Sequence, residues 1–232
     1  MIPKKIHYCW FGRGEKPKLA RKCIESWKRY CPDFEIIEWN EDNFDVTKYA
    51  YSKYCFDNKK WAFLSDFVRL IVIYENGGIY FDTDVEVIKS LDNLLQYEAF
   101  YGFENEDYVA TGLGFGSVPH GKTVDSILSI YLNLKPNSDS SYNLVNCPLL
   151  NTQGLLPFGL VSNGKCQIIN NAKIFSKEYF NPLNDATGQL NVTKNTFTIN
   201  HYGKSWMKKS VVIKSRLARP VRRLFNLFSK KM

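Results

Sequence analysis

Apolar and polar residues change their period several times along this chain, and each change marks an element. From Lys5 to Trp10 they alternate loosely, the two-residue period of a strand, which breaks at Phe11-Gly12-Arg13-Gly14. After Pro17 the period lengthens. Leu19, Cys23, Ile24 and Trp27 then share one side of a helix that has to stop before Pro32. Glu35-Ile36-Ile37-Glu38-Trp39 predicts a second strand, followed by a polar loop at Asn40-Glu41-Asp42-Asn43. Residues 60–75 form the strongest helical pattern, closed by Asn76-Gly77-Gly78 as a C-terminal stop. Ile79-Tyr80-Phe81 is a short apolar strand running into Asp82 and Asp84, and Val85-Glu86-Val87-Ile88 resumes as a strand. Further strands are expected over 99–103 and 113–117 and a helix over 123–134. Residues 138–195, rich in Asn, Gly, Ser and Pro, predict loops, one short helix and edge strands, and 196–202 a last strand.

Strands alternating with helices predict an α/β fold with a mixed, mainly parallel sheet flanked by helices. Ligands on such sheets bind beyond the carboxyl ends of the strands, which is where Ile79-Tyr80-Phe81 delivers its aspartates. With 232 residues, 44% of them hydrophobic, the chain can bury a core of its own. No apolar run is long enough to span a bilayer, and the N-terminus lacks the pattern of a secretory signal, so a cytoplasmic location is expected. The six cysteines show no metal-like spacing and are read as reduced thiols acting as small hydrophobes. Charge separates the chain in two. Residues 208–232 hold nine Lys and Arg and no acid, which leaves 22 basic against 23 acidic residues elsewhere. Residues 1–207 therefore read as one nearly neutral domain with a basic tail, which argues against a nucleic-acid partner.

Asp82 and Asp84, two apart at a strand end, send their carboxylates to the same side if the backbone is extended. Two hard oxygen ligands on one face can share Mn²⁺ or Mg²⁺ and leave positions open for diphosphate oxygens. The competing reading of a bare Asp-x-Asp is a solvated acidic turn. Asp66 and Arg69 lie three apart on one helix face inside the otherwise apolar Trp61-Ala62-Phe63-Leu64 to Ile71-Val72-Ile73 run, so a half-buried ion pair is expected there rather than a surface one.

Three segments together resemble glycosyltransferase family 32: residues 2–12 (Ile2-Pro3-Lys4-Lys5-Ile6-His7-Tyr8-Cys9-Trp10-Phe11-Gly12), residues 61–69 (through Ser65-Asp66-Phe67-Val68-Arg69), and residues 74–86 (through Gly77-Gly78-Ile79-Tyr80-Phe81-Asp82-Thr83-Asp84). The likeness returns at His201-Tyr202-Gly203-Lys204-Ser205-Trp206. The family comprises sugar transferases carrying an Asp-x-Asp motif, many of them bacterial capsular and surface polysaccharide enzymes. Fungal initiating α-1,6-mannosyltransferases and glucosylating clostridial toxins are more distant relatives. The resemblance implies a GT-A fold, a UDP-linked or similar nucleotide-sugar donor, a glycan or lipid-linked acceptor, and retention of anomeric configuration. It also implies roles. Trp10 stacks on the base, Asp66 and Arg69 contact donor ribose, sugar or phosphate, and Gly78 lies with the donor-binding residues. Asp82 and Asp84 hold the metal, His201 joins them as a late ligand, and Ser205 and Trp206 cover the diphosphate. No segment matches the Thr-Gly-Pro stretch that relatives carry near the acceptor. Asn151-Thr152-Gln153-Gly154-Leu155 is the nearest candidate, and the acceptor residues stay undefined. Gly112-Leu113-Gly114-Phe115-Gly116 does not open a helix after a first strand and carries little weight as a nucleotide loop.

In the tail, Ile213, Leu217, Val221, Leu224, Phe225 and Phe228 recur at helical spacing among basic residues. An amphipathic helix lying on an anionic membrane surface, at the inner face, is expected. The competing reading packs this helix on the domain. Two other functions fit the Asp-x-Asp alone: a haloacid-dehalogenase-like phosphatase with Asp82 as nucleophile, and a non-catalytic carbohydrate- or membrane-binding protein.

Overall fold

The structure is a computed structural model that describes residues 1–203, 209–220 and 222–223. In chain order the elements are β1 (Lys5–Cys9), α1 (Lys18–Tyr30), β2 (Glu35–Trp39), α2 (Ala50–Asp57), α3 (Trp61–Asn76), β3 (Gly78–Tyr80) and β4 (Val85–Val87). There follow β5 (Ala99–Gly102), β6 (Phe115–Ser117), α4 (Lys122–Leu132), α5 (Cys147–Leu155), β7 (Gln167–Ile169), β8 (Ala172–Phe175), α6 (Lys177–Phe180), β9 (Thr198–Asn200) and α7 (Lys209–Leu217).

Seven strands form the main sheet in the order β2-β1-β3-β6-β5-β8-β7, and β4 pairs with β9 in a separate ribbon. The sheet is mixed, as the alternation predicts. Among the described strands, parallel pairing joins β1 to β2, β1 to β3 and β5 to β8, whereas the other three pairings are antiparallel. Parallel order therefore covers three of these six pairings and the longer share of the registered residue pairs.

The sheet separates two apolar cores, and the two-residue period of β3 feeds both. Ile79 and Phe81 face the side covered by α1, with Cys23 and Trp27. Tyr80 faces the other side, with Leu64, Phe67 and Ile71 of α3 and Ile127 and Tyr131 of α4. α3 is buried on nearly every side from Phe67 to Ile73, which explains its almost continuous apolar sequence.

Several segments differ from the sequence expectation. Helix α2 forms in a stretch with no clear apolar stripe, burying Tyr51, Ser52 and Cys55. Residues 138–195 hold two helices, α5 and α6. They also hold a hairpin whose turn, Asn170-Asn171, has positive φ at both residues. β7 is the expected edge strand, but β8 lies inside the sheet. The last strand, β9, leaves the main sheet to pair with β4. Five of the cysteines are buried and Cys166 is exposed, so it does not behave as a core hydrophobe.

Candidate active site

The site sits past the C-terminal end of β3. Arg69, projecting from α3, is 3% exposed. Its Nη2 donates to Asp66 Oδ1 at 2.7 Å and to Asp82 Oδ1 at 3.0 Å. Its Nε donates to the Ser65 carbonyl at 3.2 Å, and Nη1 to Thr111 Oγ1 at 3.3 Å. The guanidinium also lies 4.9 Å from the Tyr80 ring centre, and the Tyr80 hydroxyl donates to Asp82 Oδ1 at 3.1 Å. This placement follows from local geometry. Tyr80 and Asp82 are two residues apart and face α3, while Asp66 and Arg69 are three apart and share a helix face. Burial opposes the Arg69 cation, but the Asp82 and Asp66 carboxylates more than offset it and its pKa is raised. Burial pushes the Asp66 carboxyl up to about 6 despite Arg69. The expected half-buried ion pair is therefore present, and it is extended to Asp82.

Asp84 is reached differently. Residues 83 and 84 form a turn in which Val85 N–H donates to the Asp82 carbonyl at 3.1 Å, so the two carboxylates are not related by an extended strand. Asp84 Oδ2 accepts the Gly203 N–H at 2.7 Å, and the Asp84 carbonyl accepts the His201 N–H at 3.0 Å. The end of β9 thus holds Asp84 in place. Burial, and then the charge of Asp82, push the Asp84 carboxyl up to about 6.

His201 departs from the expected ligand set. Its main chain is beside Asp84, but its imidazole Nε2 bonds Glu86 Oε2 at 2.7 Å, and Lys22 bonds the same oxygen at 2.8 Å. Among the described residues no group of three or more His, Cys, Asp and Glu side chains surrounds one point. The donor set at Asp82 and Asp84 still fits a hard divalent cation: two neighbouring carboxylates, one of them with its charged form disfavoured by burial and by the other's charge. Gly78 lies apart from these groups. It opens β3 at the end away from Asp82, roughly 13 Å off along an extended chain. Its φ is +99°, and a Cβ there would lie 2.8 Å from His7 Nε2 and 2.9 Å from the Lys5 carbonyl. Gly78 permits close packing against β1.

Trp10 follows β1 and is half-buried, its Nε1 donating to the Gly14 carbonyl at 2.7 Å with Lys16 Nζ 5.7 Å from the ring. One face of the loop at 11–16 is thereby tied to the indole. Ser205 and Trp206 lie outside the described residues, as does the tail beyond Arg223.

The structure adds Thr111 and Cys147, which sequence reasoning missed, and brings to the site Gly112 and Asn151, which the sequence offered only within segments of little weight. Thr111 and Gly112, ahead of β6, press on the site, since a Cβ on Gly112 would fall 2.3 Å from Asp82 Oδ2. Asn151 Nδ2 on α5 donates to Thr111 Oγ1 at 3.0 Å, and Cys147 Sγ lies 3.8 Å from Arg69 Nη1. Burial pushes the Cys147 thiol up to about 12, so it stays neutral. Tyr80 was legible, because it precedes Asp82 by one strand period. Thr111 and Cys147 carry no such signal.

The phosphatase alternative needs an unencumbered nucleophile at Asp82. Here one oxygen of that carboxylate accepts from a guanidinium and a phenol, and the other lies against Gly112.

A mixed sheet flanked by helices that delivers two aspartates beyond a parallel strand is the architecture of the GT-A type fold. Residues 17–101 match the family model described as "Glycosyltransferase sugar-binding region containing DXD motif", so this part of the chain is similar to DXD-containing, family 32 type glycosyltransferases. Inositol phosphoceramide mannosyltransferase 3 of Schizosaccharomyces pombe is 33% identical over 107 residues, covering 43% of this chain and 29% of that protein. Inositol phosphoceramide mannosyltransferase 2 of the same organism is 31% identical over 144 residues, 60% of this chain and 40% of that protein. The chain thus spans well under half the length of the curated relatives it matches. The solved structure titled PaToxG Glycosyltransferase shares the fold at a TM-score of 0.50 and 18% identity, over 67% of this chain and 68% of that one.

Proposed function

We propose that this protein transfers a sugar from a nucleotide-sugar donor to a hydroxyl of a glycan or lipid-linked acceptor, with a divalent cation, Mn²⁺ or Mg²⁺, held at Asp82 and Asp84. The carrying observation is the buried Arg69, bonded at once to Asp66 and Asp82 where β3 ends. Arg69 fixes the Asp82 carboxylate, Gly203 N–H and the β9 end fix Asp84, and Thr111 with Gly112 closes the space behind them. Fixed groups of this kind stabilise developing charge without having to reorganise during the reaction. A bound divalent cation supplies positive charge to the departing diphosphate. Trp10 is the platform for the base, and Ser205 and Trp206 are carried into this reading by their place in the family pattern. Retention of configuration and a role in capsular or surface polysaccharide synthesis belong to the same proposal. The names of the fungal relatives add a sphingolipid-type acceptor and mannose to the candidates. We also propose peripheral attachment to an anionic membrane at its cytoplasmic face. Arg219 is tied to Asp185 at 2.7 Å, whereas Ile213 is 57% and Leu217 74% exposed, as a helix docked on one side and free on the other requires.

A panel of UDP- and GDP-sugars tested for Mn²⁺-dependent hydrolysis without acceptor is the direct experiment. At least one donor is expected to turn over, and Asp84→Asn is expected to abolish turnover with the fold intact. Retained activity with unchanged Mn²⁺ dependence in that variant sinks the assignment.

A further inference from the structure

The loop after β5 and the start of α5 border an open cavity of about 490 Å³, lined by Glu104, Tyr108, Leu144, Pro148 and Leu149 among others. One residue separates it from the donor centre. Cys147 lies 3.8 Å from Arg69 Nη1, and its neighbours on both sides, Asn146 and Pro148, line the cavity. The cavity and the Arg69 cluster therefore share a wall.

The chemistry of that wall is specific. The main chain of Glu104 is fixed, its N–H donating to the Tyr108 carbonyl at 2.8 Å and its carbonyl accepting Asn181 Nδ2 at 3.0 Å. Its side chain is half-buried, and no donor among the described residues bonds the carboxylate. Burial, and then the charge of Asp185, raise its pKa. A carboxylate partly removed from water without a hydrogen-bond donor is costly, and a ligand rich in hydroxyls relieves that cost. Beside it stand apolar surfaces left open to solvent, Tyr108 at 38% and Leu149 at 39% exposure. An acceptor group next to an aromatic face matches a sugar ring, whose hydroxyls donate at the edge while its C–H face packs on the ring.

We propose that this cavity is the acceptor site and takes a hexose ring with free hydroxyls, Glu104 accepting from those hydroxyls and Tyr108 covering the C–H face. The proposal rests on the transferase reading, because its position matters only if Arg69 marks the donor side. Its test is separable. Octyl glucoside, galactoside and mannoside serve as probes for saturation-transfer NMR on the full chain, and the same compounds serve as acceptors in transfer assays. Ring-proton signals are expected for the wild type and for Tyr108→Phe. Binding at least tenfold weaker is expected for Tyr108→Ala and Glu104→Gln, with acceptor KM rising tenfold or more and donor KM staying within twofold. Unchanged acceptor binding in both variants overturns the proposal, and so does failure of every octyl hexoside to bind the wild type. A wild type that binds a hexoside through Tyr108 yet hydrolyses no nucleotide sugar would defeat the transferase reading and leave the cavity a sugar site. Tyr108 is exposed, so its replacement by Ala tests the cavity even if Glu104→Gln folds poorly.

Discussion

Gly112→Ala is a substitution through which the site can be probed without replacing any of its charged groups. The added Cβ would sit 2.3 Å from Asp82 Oδ2 and 3.1 Å from Arg69 Nη1, where ordinary contact begins near 3.4 Å. The Asp82 carboxylate must then retreat by about 1 Å. It cannot rotate freely, because its other oxygen accepts from Arg69 at 3.0 Å and from Tyr80 at 3.1 Å. A 1 Å retreat stretches the first of these beyond hydrogen-bond range. A hydrogen bond to a charged group contributes roughly 1.5–3 kcal/mol, and Arg69 keeps its Asp66 partner, so a loss of about 1–2 kcal/mol in stability is expected. For a chain of this size that lowers Tm by roughly 2–8 °C. Catalysis should suffer more, since a reacting group misplaced by about 1 Å costs on the order of 100-fold. Donor hydrolysis against Mn²⁺ concentration, with a thermal melt of the same sample, measures both. A variant that melts like the wild type and turns over within threefold of it would refute the claim that Asp82 is held against Gly112 for function.

Three further outcomes are expected. Trp10→Ala should weaken nucleoside diphosphate binding by about 1–3 kcal/mol, the range for stacking of a base on an aromatic ring, and an unchanged Kd in a titration of UDP and GDP removes Trp10 from the donor site. His7 is wholly buried and accepts from Trp39 Nε1 at 3.0 Å, and burial pulls its pKa from 6.5 to about 4. The unfolded chain therefore binds the extra proton first. This contribution is intact above pH 6.5 and about 3 kcal/mol of it is lost as pH falls to 4; because Asp66 and Asp84, raised to about 6, titrate in the same window with the opposite sign, paired denaturant melts should show the wild type losing that amount relative to His7→Asn, whose amide oxygen can still meet Trp39. Deleting residues after Ser210 should release the protein from anionic vesicles in a salt-sensitive manner while preserving transfer to a soluble acceptor, and equal co-sedimentation of both forms would reject the membrane anchor.

How far the sequence could be read depended on how long each pattern persisted. α3 and the strand after it were legible because sixteen residues repeat one period and Asn76-Gly77-Gly78 ends it. α2 was not, since only Tyr51, Ser52 and Cys55 are buried and its other positions alternate without a stripe. The Asn170-Asn171 turn was in principle visible, because two adjacent Asn residues tolerate the positive φ that a two-residue hairpin needs. That β8 then enters the sheet beside β5, and that β9 leaves it for β4, depends on pairings between segments more than 70 and 100 residues apart. No local period encodes such partners.

The site divides along the same line. Asp66 with Arg69, and Tyr80 with Asp82, each lie within one repeat of an element, so helix and strand geometry alone bring each pair together. What the sequence did not supply is the charge balance. Arg69 serves Asp66 and Asp82, and Asp84 is held by a backbone N–H instead of a cation. Three carboxylates against one guanidinium leave a formal charge of −2, in a place where burial already pushes Asp66 and Asp84 up to about 6. His201 does not redress this, because its imidazole is turned to Glu86. The imbalance equals the charge of one divalent cation, and a diphosphate arriving without a cation would deepen it. Metal and donor are therefore expected to bind with mutual dependence, each raising the affinity for the other. Nucleotide titrations at several Mn²⁺ concentrations test this, and an affinity for UDP or GDP that ignores Mn²⁺ would mean that Asp82 and Asp84 do not share the cation with the donor.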